Sequence, residues 1–185
     1  MRILENKGLL LKLRNPSKVT TAIPSSRAVG DNKVLIICPL SIMDSAWRAD
    51  LFTFAMHRSV DIAHGPKDKR RKIISGDSDF VIINYDGVEI VEDHIQMAGF
   101  DLIIVDEATH YKNANSKRWK VLSRIVKPDT WVWMMTGTPA AQSPLDAFGL
   151  AKMLNPLAVP RSFSSYREMV MQKVTQFKWV PKDNA

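Results

Sequence analysis

A doubly wound α/β domain built on a mainly parallel sheet is the fold this sequence predicts, and three features predict it. Four short apolar runs are largely continuous rather than alternating, which fits strands buried on both faces of a parallel sheet. Segments with helical spacing lie between them, and strand alternating with helix is the pattern of that fold class. Each run ends in polar or turn residues, which points to one functional rim at the carboxyl edge of the sheet.

The runs are Val34–Cys38, Phe80–Ile83, Phe100–Val105 and Trp131–Met135. After the first, Ala46–Ala55 carries Trp47, Leu51 and Phe54 at spacings of four and three, one face of a helix. Ser116–Val126 places Trp119, Leu122 and Val126 on one side, with Ser116 as its N-cap. Leu145–Leu154 also reads as helix and is stopped by Asn155-Pro156. The rim residues are then Pro39-Leu40-Ser41, Asn84-Tyr85, Asp106-Glu107 and Thr136-Gly137-Thr138. From Leu157 to Ala185 the chain is basic, richer in Ser and Gln, and lacks a clear strand; a helix is expected around Ser165–Val174. This divides the chain into one lobe over residues 1–156 and a basic, partly helical extension over 157–185.

A chain of 185 residues is long enough for one well-cored domain. Its hydrophobic fraction of 45% and charged fraction of 24% are those of an ordinary globular protein. The formal charge of +7 points to a polyanionic partner, most simply nucleic acid. The single Cys38 cannot form an internal disulfide and reads as a small core residue. His57, His64, His94 and His110 lack zinc-ligand spacing. No apolar run approaches the roughly 20 residues that span a bilayer, and the N-terminus lacks a signal-peptide pattern. The expected compartment is cytoplasmic, with no membrane partner.

Asp106-Glu107-Ala108-Thr109-His110 follows directly on a buried run. Nucleotide hydrolysis needs one carboxylate to hold magnesium and another to orient the attacking water. Adjacent residues at a strand end can point to different sides of a phosphate, although an acidic pair in a solvated turn reads the same in isolation. The pentapeptide resembles the Asp-Glu-Ala-His box of superfamily-two helicases, and the following Tyr111-Lys112-Asn113-Ala114-Asn115-Ser116-Lys117-Arg118 resembles its Swi/Snf version. Thr109 stands as an extra residue beside His110, so either could fill the histidine slot. Met135-Thr136-Gly137-Thr138-Pro139 resembles the third motif of that family, and Thr-Gly-Thr-Pro favours DNA translocases over the RNA helicases. Val34–Leu40 with Ser41 and Trp47, His64-Gly65 with Arg70, and Ile83-Asn84-Tyr85-Asp86 are similar to further blocks in the same order.

The chain is thus identified as resembling the first RecA-like lobe of a Swi/Snf-type DNA-dependent ATPase. The resemblance implies ATP and Mg2+ as cofactors and double-stranded DNA as partner. Asp106 would hold magnesium through water and Glu107 would activate the hydrolytic water. His110, Thr136, Gly137 and Thr138 would line the nucleotide side, with Thr136 and Thr138 relaying nucleotide state to the DNA groove. Ser41, Asn84 and Tyr85 would lie near one phosphodiester strand; for Tyr85, core packing at a strand end is an equal reading. A small single-lobe protein of this kind would suit a phage or bacterial genome.

The family's phosphate loop should follow the lead-in Gly8-Leu9-Leu10-Leu11 as a glycine-rich turn, because glycines let successive N–H groups curl around phosphate oxygens. This chain instead reads Lys12-Leu13-Arg14-Asn15-Pro16-Ser17-Lys18-Val19-Thr20. It contains no glycine, and Pro16 removes a backbone donor. Lys18 would stand for the phosphate lysine, and Thr20 for the magnesium hydroxyl only if the register slips past Val19. Residues 1–30 are therefore a degenerate phosphate-loop region from which ordinary ATP binding is not expected. Little chain precedes it to read adenine, and a second lobe with its arginines is not encoded in 185 residues. Negligible hydrolysis by this chain alone is the expectation.

Lys67, Lys69, Arg70, Arg71 and Lys72 form one basic cluster, and Lys112, Lys117, Arg118 and Lys120 a second. Salt-sensitive phosphate contact is the functional reading, expected of Lys67, Lys69, Arg70 and Arg71, and a solvated helical face is the alternative; the second cluster sits beside the carboxylate box, where structural pairing competes. Two functions follow: a motor-ATPase lobe completed by another chain or second lobe, or an inactive module that binds DNA or sits on a helicase or nuclease partner.

Overall fold

The computed structural model describes residues 8–12, as backbone, together with 33–137 and 142–182. Six strands form one sheet: β1 (Gly8–Lys12), β2 (Val34–Cys38), β3 (Val60–Ile62), β4 (Phe80–Asn84), β5 (Leu102–Val105) and β6 (Trp131–Thr136). Their order is β1-β6-β5-β2-β4-β3, and every pairing in it is parallel. This is the RecA-like arrangement expected of the sequence.

The continuous apolar runs behave as strands covered on both sides. Leu35, Ile37, Val81, Ile83, Ile103, Val105, Val132 and Met134 point to one face, and Val34, Ile36, Cys38, Phe80, Ile82, Leu102, Ile104, Trp133 and Met135 to the other. The first face is closed by helices α3 (Tyr85–Ile90), α4 (Glu92–Ala98), α5 (Lys117–Ile125) and α6 (Phe148–Leu154), through Val88, Ile95, Val121, Leu122, Ile125, Leu150 and Met153. The second is closed by the helical segment after β2: a 3-10 turn (Leu40–Ile42), a π-helical turn (Met43–Arg48) and α1 (Ala49–Phe54). Its Met43, Trp47 and Leu51 are buried, whereas Phe54, the last residue of α1, is 41% exposed and does not join them. Helix α2 (Lys67–Ile74) carries Ile74 into the first face.

Ser116 caps α5 as expected, its hydroxyl accepting from the Trp119 N–H at 3.2 Å. The strand β3 and helices α2, α3 and α4 were not separable from sequence. Beyond residue 156 the helix is α7 (Phe163–Val170), capped by Ser162, and it stops where Met171 turns extended. The chain then forms an antiparallel hairpin, β7 (Met171–Lys173) and β8 (Trp179–Pro181), where a helix running to Val174 and no strand were expected. Met171 and Trp179 pack on Phe148, Tyr166 and Val170, which anchors the base of the hairpin, while Gln172 and Lys173 are exposed. No helix among the described residues is long and apolar enough to cross a membrane.

Candidate functional site

The chain runs from β2 outward to β3 and β4, then crosses back over β2 to β5 and β6. The order therefore reverses between β2 and β5, and ligands of open α/β sheets sit in the crevice beyond the carboxyl ends at such a point. Asp106 emerges there, its N–H donating to the Ile37 carbonyl at 2.9 Å. Lys12 of β1 lies in register with Thr136, and Cys38 with Asn84, so the rim residues form one row.

Asp106 is 2% exposed. Its Oδ1 accepts the Glu107 N–H at 2.8 Å and its Oδ2 accepts the Trp47 indole N–H at 3.2 Å. Both carboxylate oxygens are thus engaged at the exit of β5. Trp47 reaches it from the π-helical turn; a buried indole needs an acceptor, which is the physical reason a tryptophan in that segment belongs to the site. Cys38, beside this carboxylate, is inert as a nucleophile, since burial first and the Asp106 charge second raise its pKa well above the usual thiol range.

Glu107 has φ 47° and ψ 58°, the one non-glycine residue with positive φ among the described residues. That conformation disfavours a residue with a Cβ and gathers at functional sites. Its Oε1 accepts from the Thr109 hydroxyl at 3.1 Å and the Thr136 hydroxyl at 3.4 Å. Glu107 and Thr136, from neighbouring strand ends, thus meet. The peptide between residues 106 and 107 is held at both ends: Asp106 Oδ1 takes its N–H, and the Tyr85 hydroxyl donates to its carbonyl at 2.7 Å.

Tyr85 is 9% exposed at the end of β4, with its hydroxyl turned toward the Asp106 carbonyl. Burial first, then the Asp106 charge, raise its pKa, and the phenol stays a proton donor. Its ring is packed against His110 at 4.7 Å and Tyr111 at 6.1 Å, with the Arg118 guanidinium 5.1 Å over it. Thr109 is thus the neighbour of Glu107, while the exposed His110 faces Tyr85 and the Arg118 guanidinium, 3.5 Å from its Nδ1.

Arg70 departs from its expected place in a phosphate-binding cluster. Its side chain is buried, donating to the carbonyls of Gly65 and Ala63 at 2.8 Å and to Asn84 Oδ1 at 2.9 Å. It brackets the β3 exit to the end of β4, so Asn84 also spends its carbonyl oxygen internally. Gly87 makes room for this bracket: a Cβ there would meet Asn84 Oδ1 at 2.8 Å and Ile83 Cγ1 at 2.9 Å. Lys67 and Lys69 remain exposed; Arg71 is half-buried and paired with Asp68 at 3.4 Å. In the second cluster Lys112 pairs with Asp146, Lys117 with Glu89, and Arg118 with Asp86. Ser41 is exposed on the 3-10 turn after β2, and Gly137 is exposed at the end of β6. Lys18, Thr20 and Thr138 lie outside the described residues. Among the described residues no group of three or more His, Cys, Asp or Glu side chains gathers to hold a metal.

The SNF2-related domain model matches residues 9–179, nearly the whole described chain. The chain belongs to the SNF2-related domain family. Within it, this SNF2-related domain is 25% identical over 144 residues to the SWI/SNF-related matrix-associated actin-dependent regulator of chromatin subfamily A-like protein 1 homolog of Caenorhabditis elegans, covering 77% of this chain and 20% of that protein. It is 29% identical over 124 residues to the TATA-binding protein-associated factor mot1 of Schizosaccharomyces pombe, covering 66% and 6%. It is 26% identical over 127 residues to the ISWI chromatin-remodeling complex ATPase ISW2 of Saccharomyces cerevisiae, covering 66% and 11%. The domain spans a fifth or less of these relatives. Its fold is that of the Sulfolobus solfataricus SWI2/SNF2 ATPase core solved in complex with dsDNA, with a TM-score of 0.70 at 24% identity, covering 86% of this chain and 33% of that one. The SNF2-related match runs across residue 156 and includes α7 and β7, ending at the first residue of β8.

Proposed function

We propose that this chain is the first ATPase lobe of a Swi/Snf-type DNA-dependent ATPase and is incomplete for hydrolysis on its own. The observation that carries the first half is the Glu107 carboxylate, held by the Thr109 and Thr136 hydroxyls beside the buried Asp106 at the sheet's reversal point. A carboxylate that issues from a strand end at this crevice is the kind of oxygen ligand a hydrated magnesium ion takes. When bound, that ion neutralises charge on the phosphate oxygens. Asp106 would hold it through water, Glu107 would take the orientation or proton of the attacking water, and Thr136 would register whether Glu107 is engaged. Exposed Ser41, Lys67 and Lys69 would meet duplex DNA, a partner class supported by the structural relative having been solved in complex with dsDNA.

The second half rests on the glycine-free Lys12–Thr20 segment, whose Pro16 removes a donor that a phosphate cradle uses. The same segment favours the second reading, an inactive module regulating a helicase or nuclease partner. A bacterial or phage origin and a cytoplasmic place of action belong to this proposal.

Calorimetric titration with Mg·ATP tests both halves. No binding tighter than roughly millimolar is expected, and Lys18→Ala changes nothing. Micromolar binding lost in Lys18→Ala would overturn the incompleteness. Duplex DNA binding that weakens steeply with salt supports the lobe reading; a chain that binds no DNA and is captured by a helicase or nuclease favours the module.

A further inference from the structure

The β7–β8 hairpin is a built element, and its exposed end is unusual. Its base is fixed: Met171 is buried with Phe148, Tyr166 and Val170, and Trp179 packs on the same cluster under the Arg167 guanidinium at 4.5 Å. Ala114, on the loop that follows the Asp106-Glu107 box, packs on the same cluster. The turn is closed by hydrogen bonds from the Val174 N–H to the Lys178 carbonyl at 2.9 Å and from the Lys178 N–H to the Thr175 hydroxyl at 3.1 Å. Every residue from Gln172 to Lys178 is exposed, and Phe177 at the tip is 89% exposed.

An ordered turn that presents a phenylalanine to water calls for a partner with an apolar face. The surroundings select which one. Residues 169–182 contain Lys173, Lys178 and Lys182 and no acidic residue. Neither Lys173 nor Lys178 is ion-paired among the described residues. Protein interfaces are depleted in lysine around their apolar anchors. A lone aromatic between cations is the pattern that takes nucleic acid, the ring stacking on a base and the ammonium groups reaching its phosphates.

We propose that this hairpin is a DNA contact in which Phe177 stacks on an unpaired base while Lys173 and Lys178 hold the flanking phosphates. Bases inside a duplex present no free face, so the substrate is a fork, a duplex end with a tail, or a single strand. The inference rests on the DNA-binding reading above but uses a separate surface.

The test is fluorescence anisotropy of the 185-residue chain on a forked DNA and on a blunt duplex of equal nucleotide count, with 2-aminopurine at the fork. The chain prefers the fork; Phe177→Ala weakens fork binding about tenfold and leaves the blunt duplex unchanged, while Phe177→Trp keeps the preference. Lys173→Gln with Lys178→Gln lowers the salt slope on the fork by about 1.4 to 1.8. Position 177 is exposed, so each variant should melt as the parent does. Fork binding by Phe177→Ala equal to the parent's overturns the proposal. So does Phe177-dependent binding to anionic phosphatidylglycerol vesicles, or to a protein, without any fork effect. Duplex binding that survives alongside an inert Phe177 sinks the hairpin alone. Phe177-dependent fork binding without duplex binding supports the hairpin and sinks the duplex reading of the rim.

Discussion

Two buried tyrosines 6.1 Å apart should respond in opposite directions to the loss of one oxygen. Tyr85→Phe keeps the ring against His110, Tyr111 and Arg118 but removes the donor that holds the Asp106 carbonyl. A buried hydrogen bond contributes about 1 kcal/mol net, and loss of one partner adds part of the desolvation of the other, so destabilisation of about 1–2 kcal/mol is expected. For a domain of this size that lowers Tm by about 3–6 °C. The Tyr111 hydroxyl is buried with no hydrogen-bond partner among the described residues, and burial raises its pKa. Tyr111→Phe removes that desolvation penalty, and should be neutral or stabilising by up to about 1 kcal/mol. Urea denaturation of both variants measures the difference, about 2 kcal/mol. A local probe accompanies it: the Glu107 amide resonance shifts in Tyr85→Phe, because the peptide it belongs to is released. Equal stabilities within about 0.5 kcal/mol, or an unmoved Glu107 amide, would refute the claim that Tyr85 clamps the carboxylate turn.

Glycine at position 107 should give a more stable protein than alanine by about 1 kcal/mol, the reverse of the usual order, because φ there is positive; thermal melts of Glu107→Gly and Glu107→Ala decide it. Gly87→Ala, which would normally strengthen a helix, should lower the denaturation midpoint by the equivalent of about 1–3 kcal/mol, since the new methyl pushes on Asn84 and Ile83 and on the Arg70 bracket. Asp79 accepts from the Ser59 N–H and hydroxyl at 2.7 Å and pairs with Arg58 at 3.0 Å. Burial alone would raise its pKa, but the Ser59 bonds and the Arg58 charge together outweigh burial and hold it low. Its contribution is therefore full above the ordinary carboxylate range and disappears as pH falls through the depressed value. Asp79→Asn should be less stable than the parent at pH 7, and the two should converge in acid; a gap that persists below the folded pKa would show that the pairing is not the cause.

The sheet was legible because strands buried on both faces must be apolar without interruption, and four of the six announce themselves that way. The two-faced division of Leu35 and Ile37 against Ile36 and Cys38 follows from the pleat once the strand is granted. Strand β3 was not legible, since Val60-Asp61-Ile62 lies at the sheet edge and needs only three residues. Helix α2 was masked by its own composition: five cations in Lys67–Lys72 read as a surface patch, yet tertiary structure takes Arg70 inside by offering it three oxygens. The carboxylate pair and Thr136 were legible as chemistry at strand ends. The groups that hold them were not, because Trp47 and Tyr85 come from other strands' exits and only the pairing order brings them to residue 106.

Without glycine and with Pro16, the Lys12–Thr20 sequence offers fewer backbone donors to a phosphate than a glycine-rich loop does. The carboxylate turn carries a cost in energy. A left-handed glutamate costs on the order of 1–2 kcal/mol, and glycine would hold the same turn without that cost. Here the strained residue is clamped through its peptide by Tyr85 and Asp106 and through its carboxylate by Thr109 and Thr136. Clamps of that number are what strain at a working site requires. A fold kept only for a binding face would gain stability by relaxing this turn and lose nothing. That asymmetry favours the ATPase-lobe reading over the inert module. It also makes Glu107→Gly the informative variant: a gain in stability, with DNA affinity unchanged, would show that the turn is strained for a purpose other than holding DNA.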